Sequence, residues 1–213
     1  SAGTLHERYA YPGLYDDSHF HSCRRGIDDY QNRWELQNCD LATAPDLATE
    51  NGYVRDRLAA YLQELIDIGV AGIRVDGAKH IPAEDLQEIL GLTSGDLYVF
   101  QEVIDFGSET VPASEYFGIG DVTEFRLSSE IARVFREGQL AWLEHFGPDW
   151  GMMPADKAIV FVDNHDNQRG HGAPGNAITY KDGRLHELAN VFVLAWPYGY
   201  PRLMSSYEFS DGD

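Results

Sequence analysis

Positive charge is scarce in this chain. Of its 213 residues, 16 are lysine or arginine against 35 aspartate or glutamate, for a formal net charge of −19. Nucleic-acid phosphates require clustered basic side chains, so a nucleic-acid partner is argued against. Such acidity serves solubility and leaves neutral ligands unimpeded. Long apolar runs are missing as well. Nothing approaches the roughly 20 residues of a membrane helix, and the short apolar run from Val191 to Trp196 falls far below that length. A soluble protein without a membrane partner is expected. The chain begins at Ser1 with neither an initiator methionine nor a signal peptide. Low-complexity tracts are absent, and so are repeats beyond an alternation of strand-like and helix-like segments. Cysteine is reduced to two residues, Cys23 and Cys39, in a loop-like stretch rich in Gly, Asp, Asn and Tyr. They read either as a disulfide, which in a loop of that size stabilises by about 3 kcal/mol on the chain-entropy model, or as two free thiols of an intracellular protein.

What the chain does have is acid at the ends of apolar runs. In Gly72-Ile73-Arg74-Val75-Asp76-Gly77-Ala78-Lys79-His80 an arginine and an aspartate stand two residues apart, which on a strand puts both on one face. A neighbouring guanidinium favours the ionised carboxylate, so Asp76 is expected to stay an anion able to act as nucleophile. The stretches Leu97 to Asp105 and Ala158 to Asp166 each read as a buried strand delivering carboxylates near its C-terminal end. Taken singly, an acid in that place is as readily a helix N-cap or a turn former. Three together point to a barrel of parallel strands, where side chains from several C-terminal strand ends converge on one mouth.

Residues up to about Asn51 show no sustained period. From Gly52 the pattern turns helical, with Val54, Leu58, Tyr61, Leu62, Leu65 and Ile66 on one face and Gly69 ending it before a strand from Val70 to Val75. A helix is predicted from near Pro82, which suits a first-turn position, to about Leu90. Asp121 to Phe125 suits a short strand, Ser128 to Phe135 a helix, and Leu140 to Phe146 a second helical stretch stopped by Gly147-Pro148. After the glycine-bearing loop Gly170 to Gly175, Leu185 to Leu194 reads as a helix, and Tyr200 to Met204 as a last strand.

These motifs resemble those of the α-amylase family of glycoside hydrolases. The stretch from Asp46 through Tyr53-Val54-Arg55 to His80 resembles that family's helix and fourth barrel strand, Gln101 to Asp105 its fifth strand, and Phe161 to Asp166 its seventh. The resemblance runs from about Tyr11 to Phe209. An eight-stranded α/β barrel typically needs about 250 residues, so the chain is read as an internal fragment. The fold class expected is α/β: a partial (β/α)8 TIM barrel of about strands 4 to 8 over residues 52–213, preceded by the C-terminal part of the family's irregular domain B over residues 1–51. The family's first catalytic-region motif, its first three strands and its C-terminal β-sandwich have no counterpart here.

The resemblance implies roles residue by residue. Asp76 is the implied nucleophile and Glu102 the implied acid, its pKa raised by partial burial and nearby anions. The same glutamate then deprotonates the water that hydrolyses the glycosyl ester. Asp166 binds sugar hydroxyls and helps distort the ring toward an oxocarbenium-like transition state. His165 donates to the sugar beside the cleaved bond, Arg74 lies with the substrate-binding groups, and Lys79 and His80 fall on the leaving-group side. Calcium is implied between domain B and the barrel, with Asp46 as carboxylate ligand and Gln37 and His80 lending backbone carbonyls. Gln37 replaces the arginine of animal enzymes, and the family's asparagine ligand has no counterpart in this chain. Arg74, Asn164 and Arg202 match the chloride ligands of the animal-like and some bacterial members, an anion that would help Glu102 keep its proton. Gly170-His171-Gly172-Ala173 resembles that subgroup's mobile substrate loop, with an ordinary connecting turn as the alternative. The family carries a Cys23–Cys39 bridge at the matching positions and is secreted.

The implied function is retaining endo-hydrolysis of α-1,4-glucosidic bonds in starch, glycogen and maltooligosaccharides by an extracellular enzyme, monomeric when full length. The fragment alone is expected to be inactive. Two alternatives stay open: a maltose-forming or transglycosylating relative, and a non-catalytic amylase-like protein that binds glucans.

Overall fold

The computed structural model describes residues 7–171 and 177–205, and the chain divides into two compact units, Ser1–Val99 and Phe100–Asp213. In the first, the short elements β1 (Cys23–Gly26), α1 (Arg33–Asn38) and β2 (Cys39–Asp40) precede α2 (Gly52–Asp67), β3 (Gly72–Val75) and α3 (Ala83–Gly91). Strands β1 and β2 pair in parallel with Cys23 opposite Cys39, and a disulfide joins the two cysteines. Of the two sequence readings, the bridge is the one realised. The loop between them folds onto Glu35. Its carboxylate pairs with Arg25 at 3.0 Å and accepts the N–H groups of Asp28 at 2.9 Å and Asp29 at 3.1 Å. Because these partners bind the ionised form, with Arg25 the largest influence, the Glu35 pKa falls to about 2.

Helix α2 starts where Asn51 accepts the Tyr53 N–H at 2.9 Å, satisfying one of the orphan donors of the first turn. Pro82 sits at the N-cap of α3, one residue before the first-turn position predicted for it, so the helix begins at Ala83. In the first turn of α3, buried Asp85 accepts from Thr49 Oγ1 at 2.8 Å and pairs with Arg55 of α2. That contact fixes how α3 packs on α2. Tyr98 N–H donates to Ala71 O at 2.9 Å, starting β4 (Tyr98–Gln101) alongside β3. None of the four residues of β3 is buried.

Strand β4 runs across the division into the second unit, which continues with β5 (Asp121–Thr123), α4 (Phe125–Glu137), β6 (Ala158–Val160), α5 (Arg184–Ala195) and β7 (Tyr200–Pro201). The strands are parallel and in register: Phe100 opposes Asp121, Val122 opposes Ala158, and Ile159 opposes Tyr200. The order β3-β4-β5-β6-β7, with helices intervening, is that of a partial (β/α) barrel, as expected. Helix α4 buries Phe125, Leu127, Ile131, Ala132 and Val134. Leu127, Ile131, Ala132 and Val134 pack into one cluster with Ala158, Val160, Ile178, Ala189 and Val193. Each large aliphatic side chain removed from water in this way contributes about 1.5–3 kcal/mol. At Gly199 (φ +71°) an added Cβ would lie 2.5 Å from Val160 Cγ1 and 2.8 Å from Ala158 O, so only glycine lets the chain enter β7 beside β6.

Several boundaries differ from the sequence expectation. Glu124 accepts the Arg126 N–H at 3.0 Å and caps α4. The helix therefore opens at Phe125 rather than Ser128, and β5 stops at Thr123. Leu140–His145 is a 3₁₀ turn rather than an α-helix. It is confined between Gly138 in the left-handed region and Gly147-Pro148, too few residues to nucleate a longer helix. The last strand is Tyr200–Pro201, shorter than Tyr200 to Met204. Among the described residues, no helix is long and apolar enough to cross a membrane.

Candidate active site

In the first unit, β3 ends at Val75 and Asp76 follows with its carboxylate paired to the Arg74 guanidinium. The Asp76 side chain is 75% exposed and that of Arg74 20%. The same-face expectation thus holds, and Asp76 emerges into solvent paired with an arginine. Gly77 adopts φ +53°, and a Cβ there would meet the His80 ring at 3.4 Å, so glycine lets the chain turn sharply into the 3₁₀ segment Ala78–His80. Lys79 is buried. The His80 Nδ1 lies 3.0 Å from Leu36 O. A carbonyl only accepts, so Nδ1 carries the proton and Nε2 is left as an acceptor. Burial, with the Lys79 charge adding to it, lowers the His80 pKa against the opposing Leu36 bond, and the ring is neutral at pH 7. Tyr30 stands edge-on to this ring at 6.5 Å.

Gln37 lies buried in α1 next to the residue that binds His80, and its side-chain Nε2 has no hydrogen-bond partner among the described residues. Asp46 Oδ2 lies 2.6 Å from His21 Nδ1, and His21 Nε2 lies 3.0 Å from Glu50. Burial raises the Asp46 pKa, partly offset by His21. Among the described residues, no three His, Cys, Asp or Glu side chains gather as a metal cluster. The donor set expected of a cation here, two main-chain carbonyls and one carboxylate, is not such a cluster. These oxygens suit a hard cation, and the His80–Leu36 bond joins the two segments that bear the carbonyls.

In the second unit, β4 delivers Glu102 one residue past its end, and the side chain is buried, with the residue 6% exposed. The backbone around it is braced by Thr123 of β5, whose Oγ1 accepts from Val103 N–H at 3.2 Å and donates to Gln101 O at 3.4 Å. The Arg202 guanidinium stacks 5.3 Å from the centre of the Phe100 ring, two residues before Glu102. Arg202 itself is exposed. After β6 the chain turns through Asp163, Asn164, His165 and Asp166. Asn164 Oδ1 accepts the N–H groups of Asp166 at 3.1 Å and Asn167 at 2.8 Å. What Asn164 then offers an anion is its amide NH₂. The Asp166 side chain is 36% and that of His165 46% exposed, with His165 Nε2 3.4 Å from Asp166 Oδ2.

The acids at strand ends divide by what they bind. Glu124 caps α4 and also accepts from Met153 N–H at 2.8 Å, while Asp105 accepts from Gly107 at 2.6 Å and Ala113 at 2.9 Å. These are the structural roles weighed against catalysis. Asp166 stands at the N-cap of the turn Asn167–Arg169, yet its side chain makes no capping bond. Sequence reasoning missed the partners of Asp163: Gln168 in the same turn, and His186, which only tertiary structure brings to it. Of the glycine-bearing loop, Gly170 and His171 are described, while Gly172 to Gly175 lie outside the described residues, as do Ser206 to Phe209 at the end of the stretch over which the resemblance runs.

No family model matches the chain. The α-amylase of Streptomyces violaceus is 46% identical over 214 residues, 100% of this chain and 37% of that protein. Pancreatic alpha-amylase 2a5 of Mus musculus is 44% identical over 208 residues, 91% of this chain and 41% of that protein. Among solved structures, α-amylase I of Eisenia fetida matches with a TM-score of 0.90 at 41% identity, over 94% of this chain and 45% of that one. A mutant of the same enzyme is solved as a complex with maltohexaose. The chain thus spans less than half the length of these relatives. With identity of 41% or more to each across nearly all its residues, and parallel strands that end in the expected acids, it is similar to a part of these α-amylases.

Proposed function

We propose that the protein carrying this chain hydrolyses internal α-1,4-glucosidic bonds of starch and glycogen with retention of anomeric configuration. The observation that carries this reading is the contrast between two carboxylates. Asp76 is solvent-exposed and ion-paired, whereas Glu102 is buried at the end of β4. Retaining cleavage needs one carboxylate as an anionic nucleophile and another that holds a proton. Asp76 attacks the anomeric carbon as the glycosidic bond breaks, Glu102 gives its proton to the departing oxygen, and the glycosyl ester is hydrolysed by water that Glu102 deprotonates. Asp166 and His165, both half-exposed, bind hydroxyls of the sugar at the cleaved bond. Neutral His80, with Nε2 as acceptor, and Lys79 serve the leaving-group side. The maltohexaose complex of the Eisenia fetida mutant supports a glucan as substrate, and an extracellular location agrees with the Cys23–Cys39 bridge.

The assay is release of reducing ends from soluble starch by the full-length protein, with the first-formed anomer followed by NMR. Early α-anomer is expected. Absence of hydrolysis, or early β-anomer, overturns the reading, and maltose as the dominant first product favours the maltose-forming alternative.

Two ions belong to the proposal. Calcium would be held by Asp46 and the carbonyls of Gln37 and His80, where it neutralises the carboxylate and braces the segment that presents His80. Chloride would be held by Arg74, Arg202 and the Asn164 amide, all donors suited to an anion. With calcium at about a hundred times its Kd, chelation is expected to remove roughly 3 kcal/mol of stability, read as a lower Tm that Asp46→Asn no longer shows. Chloride is expected to raise activity in the parent and not in Arg202→Gln. Melting indifferent to chelator removes the calcium site, and activity indifferent to chloride removes the anion.

A further inference from the structure

The buried carboxylate of Asp163 lies three residues before Asp166 and takes no part in the chemistry above. Its side chain is 1% exposed. Oδ2 accepts from Gln168 Nε2 at 3.2 Å, closing the turn 163–168 on itself, and Oδ1 lies 2.9 Å from Nε2 of His186, in the first turns of α5. The turn is stiffened from within by Asn164, which takes the Asp166 and Asn167 N–H groups, and by Asn167 Oδ1, which accepts the Asn164 N–H at 2.8 Å. Asn167 Nδ2 also donates to Ser128 Oγ at 3.1 Å, and Ser128 Oγ to Val162 O at 2.6 Å, tying the turn to α4. Every residue of this network except the half-buried His186 is at least nine-tenths buried, and its output is the orientation of His165 and Asp166, which stay exposed.

We infer that His186 is a positioning residue for the Asp166 turn, acting through Asp163. A carboxylate in so dry a place must be met by a donor. His186 is the donor that comes from another helix, so it sets where the turn sits against α5, while Gln168 sets only the turn's own closure. This rests on the proposed function, in which Asp166 binds the sugar at the cleaved bond. Such an interaction strengthens on the way to the transition state, so misplacing it lowers kcat more than it raises KM.

The experiment uses the full-length protein with soluble starch, measuring kcat, KM and Tm for His186→Ala, His186→Gln, Asp163→Asn and the double variant Asp163→Asn with His186→Ala. His186→Ala is expected to lose kcat about tenfold to a hundredfold, the scale on which displaced catalytic groups are felt, with KM within about twofold. His186→Gln can present an N–H at a similar reach and is expected to recover most of the loss. The double variant is expected to be no worse than Asp163→Asn alone, the signature of two residues acting as a unit. An unchanged kcat in His186→Ala overturns the inference, and so does a loss in His186→Gln as deep as in His186→Ala while Tm is preserved. A parent that does not cut starch overturns the proposed function and this inference with it, whereas an active parent with an indifferent His186→Ala sinks the inference alone.

Discussion

Glu102→Gln in the full-length protein is expected to lower starch hydrolysis by about a thousandfold, within the hundredfold to ten-thousandfold range of general acid–base catalysis. The substitution keeps shape and volume at a buried position and removes only the transferable proton, so Tm and KM should hold while kcat collapses. A thousandfold corresponds to about 4 kcal/mol of transition-state stabilisation. The defect depends on the leaving group. An aryl maltooligoside whose phenol leaves as an anion needs no proton donor, so Glu102→Gln should form the glycosyl ester from it readily and then stall, because the base for water is missing. Asp76→Asn removes the nucleophile and should be inactive toward both substrates. If Glu102→Gln showed no rapid first-turnover release of phenol from the aryl substrate, Glu102 would not be the acid. If it retained parental activity on starch, the division of labour between exposed Asp76 and buried Glu102 would fail.

The fold was legible where one periodicity governs a long segment. The change of pattern at Gly52, the 3–4 spacing from Val54 to Ile66 and the Gly69 stop specify α2 almost to the residue. Strand ends were less legible, because a side chain that leaves the ladder to cap the next helix looks in sequence like more strand: Phe125 is apolar and follows β5, yet Glu124 turns it into the first residue of α4. The Leu140 to Phe146 stretch has helical composition but lies between two glycine turns, and chain length rather than propensity decided its 3₁₀ form.

Of the candidate site, the local parts were readable and the distant ones were not. Arg74 and Asp76 are two residues apart, so strand geometry alone predicts their pairing, and they pair. Asp163 and Glu124 look in sequence like Glu102 and Asp166, namely acids at the ends of apolar runs. What separates them is what each carboxylate meets: His186 and Gln168 for the first, and backbone N–H groups with Tyr198 for the second. Burial raises the Glu124 pKa while the Met153 and Arg126 N–H groups pull it back. A perturbed carboxylate can therefore be wholly structural, and environment, not position along the strand, assigns the role.

The remaining large effect is one of stability. Replacing both cysteines with alanine is expected to lower unfolding free energy by about 3 kcal/mol, a factor of more than a hundred in the folded-to-unfolded ratio. The estimate comes from the unfolded chain, which regains the freedom of the segment between Cys23 and Cys39, separated by 16 positions. Alanine is the right replacement because Cys23 and Cys39 are 8% and 2% exposed, and a serine hydroxyl there would add a desolvation cost of its own. Urea denaturation should show a lower midpoint, and an unchanged midpoint would mean that the bridge does not constrain the unfolded state. The loss should also be felt locally, because the cross-linked segment carries Tyr30 and the Leu36 carbonyl that holds His80. Without the bridge, that segment leans on the Glu35 carboxylate and its partners Arg25, Asp28 and Asp29. Glu35 has a depressed folded-state pKa, so its contribution is present above the unfolded pKa of 4.5 and is lost as pH falls toward about 2. The alanine variant should therefore lose its leaving-group-side ordering on acidification at a higher pH than the parent. The sign of that difference follows from a carboxylate that must stay ionised to hold the loop.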